Sequence, residues 1–208
     1  MLTEGGVRLE VSRLWGEGVG EVWAALTLSV APALEPALEG VSAQGKTRQG
    51  EELRLQIESA WRGTPPPGVP AGPTWALWER EAVECFVVGA HDEYLELELG
   101  PQGHHLGLRL KGVRRAERWF LPVRYAARRA PGRLGSPWEV GEPWWGEARL
   151  SAALLPPPLV DPAGRLGYKV YACACWGPPA ARRYATSCDL GGGAPDFHRP
   201  SLAPWVAR

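Results

Sequence analysis

The stretch Ala82–Leu110, AVECFVVGAHDEYLELELGPQGHHLGLRL, decides the fold. It holds three alternating runs, Ala82–Val88, Glu93–Leu99 and His104–Leu110. They are joined by Gly89-Ala90-His91-Asp92 and Gly100-Pro101-Gln102-Gly103. Turn residues between alternating apolar positions signal hairpins, so the stretch reads as a three-stranded antiparallel meander. Strand side chains alternate between two faces. One face carries Val83, Cys85, Val87, Leu95, Leu97, Leu99, Leu106, Leu108 and Leu110, and is a core face. The other carries Glu84, Phe86, Val88, Tyr94, Glu96, Glu98, His105, Gly107 and Arg109. With a tight second turn, Glu98 lies opposite His105 and Tyr94 opposite Arg109. The first turn needs an odd loop length or a bulge, because a regular four-residue loop would mix the faces.

Working outward, Glu21–Val30 and Glu52–Trp61 alternate in the same way, with a Pro/Gly/Glu-rich loop between them. Thr64–Thr74 (TPPPGVPAGPT) is a stiff connection that suits neither a helix nor a central strand. Further strands are expected at Arg118–Val123, Glu147–Leu155, Tyr168–Trp176 and Arg182–Cys188. Arg124–Trp145 reads as a long loop with a weak helical hint at Tyr125–Ala130. Many short strands separated by turn signals imply one all-β domain over residues 1–208, a two-sheet antiparallel sandwich or barrel.

Composition bounds the function. Among 208 residues, 23 Lys and Arg balance 23 Asp and Glu. A neutral chain lacks the basic excess that phosphate neutralisation needs, which argues against nucleic-acid binding. The 26 Gly and 21 Pro exclude a helix bundle. Apolar runs fall short of a bilayer span, and Met1–Gly6 has no secretory signal pattern. The expectation is a cytoplasmic protein whose four cysteines are thiols. The scarcity of Asn and Met fits a thermophilic source, and a GC-rich genome biases composition the same way. Eleven Trp against three Phe leaves tryptophan to serve as core or as stacking surface.

The carboxylates, Tyr and Arg of the meander's polar face suit a polyhydroxylated ligand, because each hydroxyl can donate and accept. The plain alternative is the solvated outer face of a half-buried sheet.

Leu77–Leu110, with its LWEREAVECF and EYLELELGPQG motifs, resembles an uncharacterised family of small proteins related to the family 9 carbohydrate-binding modules. Trp145–Pro157 (WGEARLSAALLPP) and Arg182–Pro200 (RRYATSCDLGGGAPDFHRP) extend the resemblance. It implies a jelly-roll-like β-sandwich in which a sugar lies between aromatic rings over a sheet bearing carboxylates and Arg. Calcium sites also occur in such modules. The resemblance makes Glu84 the sheet carboxylate and brings Trp176 with Arg182 or Arg183 from a late loop. One departure is Ala172-Cys173-Ala174-Cys175, where sugar-binding members place amide side chains.

The expected ligand is therefore a saccharide or related polyol. Glu84, Tyr94, Glu96, Glu98 and Arg109 form the floor, and Trp176 with Trp75 or Trp144 forms the walls. Trp78 reads as structural. Other constellations are weighed beside this one. A Glu pair, or Asp196 with His198, could serve an enzyme acting on a carbohydrate or its phosphate. Cys173, Cys175, Cys188 and His198 could hold zinc, although buried thiols fit the spacing better. The arginines between Arg114 and Arg133 could meet a phosphate-bearing ligand or an acidic partner. Trp and Arg surfaces could instead serve protein interaction.

Overall fold

The computed structural model describes residues 6–32, 50–129 and 141–205. The described strands are β1 (Val7–Leu14), β2 (Gly18–Pro32), β3 (Glu51–Ala60), β4 (Ala82–Val88), β5 (Glu93–Leu99), β6 (His105–Lys111) and β7 (Ala116–Arg118). They continue with β8 (Arg124–Arg129), β9 (Pro143–Ser151), β10 (Leu159–Val160), β11 (Leu166–Gly167), β12 (Lys169–Trp176) and β13 (Arg183–Thr186). No α-helix occurs among the described residues, and no helix is long and apolar enough to cross a membrane. The fold is all-β, as expected. The expected loop between Val30 and Glu52 lies largely outside the described residues, as do Met1–Gly5 and Arg133.

Eleven strands form one antiparallel ladder in the order β7-β6-β5-β4-β12-β13-β1-β2-β3-β9-β8, and β10 pairs with β11 apart from it. The ladder folds back on itself near β1. This strand pairs with β2 along its length and with β13 only through Arg13 and Leu14, and its register shifts between Val11 and Arg13. One layer is β7-β6-β5-β4-β12-β13 and the other is β1-β2-β3-β9-β8. Between them lies a core in which Val83, Cys85, Leu95, Leu97, Val170 and Ala172 join Leu26, Leu28, Leu53, Leu55, Ile57 and Trp144.

The first layer is buried on its second face too. There Phe86, Tyr94, Leu106, Leu108, Tyr171 and Cys173 pack with Leu77, Leu190, Phe197 and Ala203 from flanking segments. Double burial explains why β4 is buried at every position, although its sequence alternates.

Three corrections follow from local geometry. The first concerns β6. Gly100 N–H donates to His104 O, and Gly103 takes a left-handed φ of 88°, so the second turn has three central residues rather than four. The register becomes Glu98 opposite Leu106, Glu96 opposite Leu108 and Tyr94 opposite Leu110. A slip of one residue turns the whole strand over. Leu106, Leu108 and Leu110 therefore share the face of the glutamates, while His105, Gly107 and Arg109 join the inter-layer side. The first turn is likewise three residues long, Ala90-His91-Asp92, closed by Gly89 and Glu93. That odd length keeps the expected faces of β4 and β5.

The second correction is at 116–123. Only Ala116–Arg118 is strand. Leu121 N–H then donates to Gly107 O, and Leu121 and Val123 cross over Gly107 into the inter-layer core. A Cβ at Gly107 would lie 2.9 Å from Val123 and 3.1 Å from Leu121, so this crossing requires glycine. The third correction is Arg124–Arg129, which is the edge strand β8 paired to β9 rather than loop or helix. Sheet pairing outweighs the high helical propensity of its alanines and arginines.

Candidate functional site

A pocket of about 480 Å³ opens on the second face of the first layer, a size suited to a small ligand. Its floor comes from β4 and β5. Glu84 and Glu98 are directly opposed across the two strands, and Glu96 lies two residues along. All three carboxyls line the pocket, yet they are only 3%, 0% and 2% exposed respectively.

These carboxyls are poorly satisfied. Neither oxygen of Glu98 has a hydrogen-bond partner, and Oε2 of Glu96 has none. The Trp78 backbone amide lies close enough to Glu98 to favour its charge, short of a well-formed hydrogen bond. Glu84 Oε1 accepts a weak bond from the Cys175 thiol at 3.6 Å. Burial pushes the Glu84 carboxyl up to about 7, against smaller opposing effects of Cys175 and Arg182. Burial also raises Glu96 and Glu98 well above the carboxylate range, and repulsion from the neighbouring glutamates adds to it.

The wall is aromatic and comes from two loops. Trp75 and Trp78 precede β4, with ring centroids 4.9 Å apart and an interplanar angle of 82°. Trp119 follows β7 and stands 5.0 Å from Trp75. The three rings are 53%, 37% and 48% exposed, which is unusual for tryptophan unless a surface is kept for contact. Buried Leu77 anchors the turn between Trp75 and Trp78.

The opposite rim is the C-terminal segment. Tyr171 donates to Phe197 O at 2.7 Å and holds it in place. Tyr94 Oη accepts from Arg114 N–H at 3.0 Å and meets His198 Nδ1 at 2.9 Å. The direction of the Tyr94–His198 bond depends on the ring's tautomer; with Tyr94 as the donor to Nδ1, the neutral ring carries its proton on Nε2. Nε2 then faces Glu96 Oε1 at 3.9 Å, too far for a hydrogen bond. Burial, with Arg114 nearby, lowers His198 to about 4, so at neutral pH the ring is an uncharged donor. Arg114 in turn pairs with Asp196 at 3.0 Å.

The sequence-predicted residues divide. Glu84, Glu96, Glu98 and Trp75 converge on the pocket. Tyr94 is fully buried and supports His198 and Arg114 from behind. Arg109 lies on the opposite side of the sheet, where it pairs with Glu93 and donates to Leu154 O at 2.6 Å. Trp176 also faces away, stacked on Trp23 at 4.8 Å in the inter-layer core, because it is one residue out of phase with the pocket-facing Cys175. Trp144 is buried in that core too. Arg183 pairs with Glu17 on the exterior.

Arg182 does not line the pocket; it lies behind pocket-lining Cys175, donating to its Sγ at 3.1 Å, and its guanidinium is engaged with the carbonyls of Trp78, Glu79, Arg80 and Gly177. It fastens the tryptophan turn. Trp78, expected to be structural, lines the pocket. Arg114 and Trp119 were hidden in an arginine-rich stretch whose strand boundaries the sequence misplaces. Among the described residues no three His, Cys, Asp or Glu side chains are grouped to hold a metal ion. Cys173, Cys175, Cys188 and His198 are thus not brought together as a metal site.

No protein-family model matches the chain. Over 160 residues it is 31% identical to the UPF0462 protein C4orf33 homolog of Danio rerio, covering 72% of each chain. It is 32% identical over 108 residues to the Mus musculus homolog, covering 50% of this chain and 51% of that protein. It is 34% identical over 99 residues to the Homo sapiens protein, covering 47% and 45%. The chain thus matches about half the length of the mouse and human relatives. A crystal structure of a "putative carbohydrate-binding protein" from Bacteroides uniformis superposes with a TM-score of 0.57 at 16% identity, over 95% of this chain and 83% of that one, a likeness of fold. With 31% identity across nearly three quarters of the Danio rerio protein, this chain belongs to the UPF0462 family.

Proposed function

We propose that the pocket binds a saccharide or a related small polyol. One observation carries this reading: buried carboxyls with unpartnered oxygens, Glu96 and Glu98 with Glu84 beside them, lie beneath three exposed tryptophans. Apolar sugar faces stack on indole, and hydroxyls donate to carboxyl oxygens that otherwise bear the cost of burial. The His198 Nε2–H supplies a donor from the other rim. The carbohydrate-binding name of the Bacteroides uniformis neighbour supports the reading, as does the relation to family 9 modules drawn from the sequence. The four unpaired thiols fit a reducing compartment, so the proposed setting is the cytoplasm.

Titration with a panel of mono- and oligosaccharides tests the proposal. Binding is expected to quench tryptophan fluorescence and to give a calorimetric signal. Trp75→Ala is expected to weaken binding at least tenfold without lowering the melting temperature. Flat titrations across the whole panel would refute the reading.

A further inference from the structure

The floor carboxyls also bear on the charge of the ligand, an inference that rests on the saccharide reading. Each cation near the floor is already engaged. Arg182 is held by four backbone carbonyls, and Arg114 by Asp196. His198 is uncharged at neutral pH. From β12, Cys173 and Cys175 present thiols that burial keeps protonated. Tyr94 is likewise kept protonated by burial, and Tyr184 from β13 adds a further phenol to the lining. Among the described residues no Lys or Arg forms a salt bridge with these three glutamates, Arg182 acting on Glu84 and Arg114 on Glu96 only through space, and both oxygens of fully buried Glu98 lack hydrogen-bond partners.

A neutral ligand would supply hydrogen bonds but no charge. An ammonium would supply both, and the neighbouring Trp75, Trp78 and Trp119 faces attract cations as well. We infer that the ligand is an amino sugar or a comparable amino polyol, its protonated amine seated among Glu84, Glu96 and Glu98 under the tryptophan wall.

The proton balance gives the inference a signature. In the empty pocket burial raises the proton affinity of all three carboxyls. An arriving ammonium favours the carboxylate, so complex formation releases protons from the glutamates to the solvent. Binding tightens as pH rises from 5.5 towards about 7 and weakens again once the amine itself loses its proton.

Calorimetry on the full chain, in two buffers of different ionisation enthalpy, would compare three amino sugars with their neutral counterparts. The amino sugars are glucosamine, galactosamine and mannosamine. The counterparts are the corresponding hexoses and N-acetyl derivatives. At pH 6.5 at least one amino sugar is expected to bind tenfold or more tighter than its counterparts. That affinity is expected to fall at least fivefold at pH 5.5, with net proton release at pH 6.5, where the sugar amine is still protonated. In Glu98→Gln the amine preference is expected to shrink at least fivefold while thermal stability holds. Neutral sugars binding as tightly as amino sugars, or binding without proton release, would overturn the inference and leave the saccharide reading standing. No binding by any sugar would overturn both.

Discussion

Glu84 illustrates how one residue can serve a site at the expense of the fold. Its carboxyl is raised from 4.5 to about 7 by burial, so the folded state holds a proton that the unfolded chain releases above about pH 4.5. A raised carboxyl contributes stability below the unfolded value and loses it as pH rises through the folded one. Glu84→Gln is therefore expected to be more stable than the native chain at pH 8, by on the order of 3 kcal/mol, with little difference at pH 4. Chemical denaturation across that range would measure it. His198 runs in the opposite sense, since its lowered value costs stability as pH falls from about 6.5 towards 4. Adjacent arginines also separate at this scale. Arg182→Ala strips donors from several carbonyls and is expected to cost about 2 kcal/mol. Arg183→Ala breaks an exterior pair with Glu17 and is expected to change stability by less than about 0.5 kcal/mol.

At the scale of elements, turn length decides which side chains meet the pocket. The sequence read β4 and β5 correctly by parity, because their connection requires an odd loop and has one. It read β6 upside down, because Gly100-Pro101-Gln102-Gly103 suits a four-residue turn as readily as a three-residue turn closed by His104. That one-residue ambiguity moved Arg109 away from the site and brought Leu108 and Leu110 into it. Gly107, read as a gap, is the crossing point for Leu121 and Val123. Gly107→Ala would press on both and is expected to cost about 1–3 kcal/mol. The cost should appear as a lower denaturation midpoint. Trp119, displaced with the same segment, should also give a weaker fluorescence response to ligand.

At the scale of the whole molecule, the tryptophans fall into two populations. Trp176 and Trp23 stack in the core between the layers, whereas Trp75, Trp78 and Trp119 stand exposed at the pocket. Trp176→Ala is expected to cost about 3–5 kcal/mol through the cavity it leaves, seen in thermal melts. Trp75→Ala should leave the melt unchanged and alter only ligand titrations. Phe197→Ala tests the strap that closes the second core. It is expected to cost about 3 kcal/mol and to weaken binding, because the same segment carries Asp196 and His198.

By itself the sequence determined the all-β class, most strands of the ladder and the alignment of Glu84, Glu96 and Glu98 on one face. These depend on local periodicity and turn chemistry, which neighbouring residues carry. Tertiary structure decided that this face is covered rather than solvated and that Trp78, Trp119, Arg114 and the Asp196–His198 segment meet it. It also placed Trp176 and Arg109 on the far side of the sheet. The physical reason is that alternation assigns a side chain to a face. Which segments pack on that face depends on contacts between residues such as Tyr171 and Phe197, or Tyr94 and His198, which lie far apart in the chain.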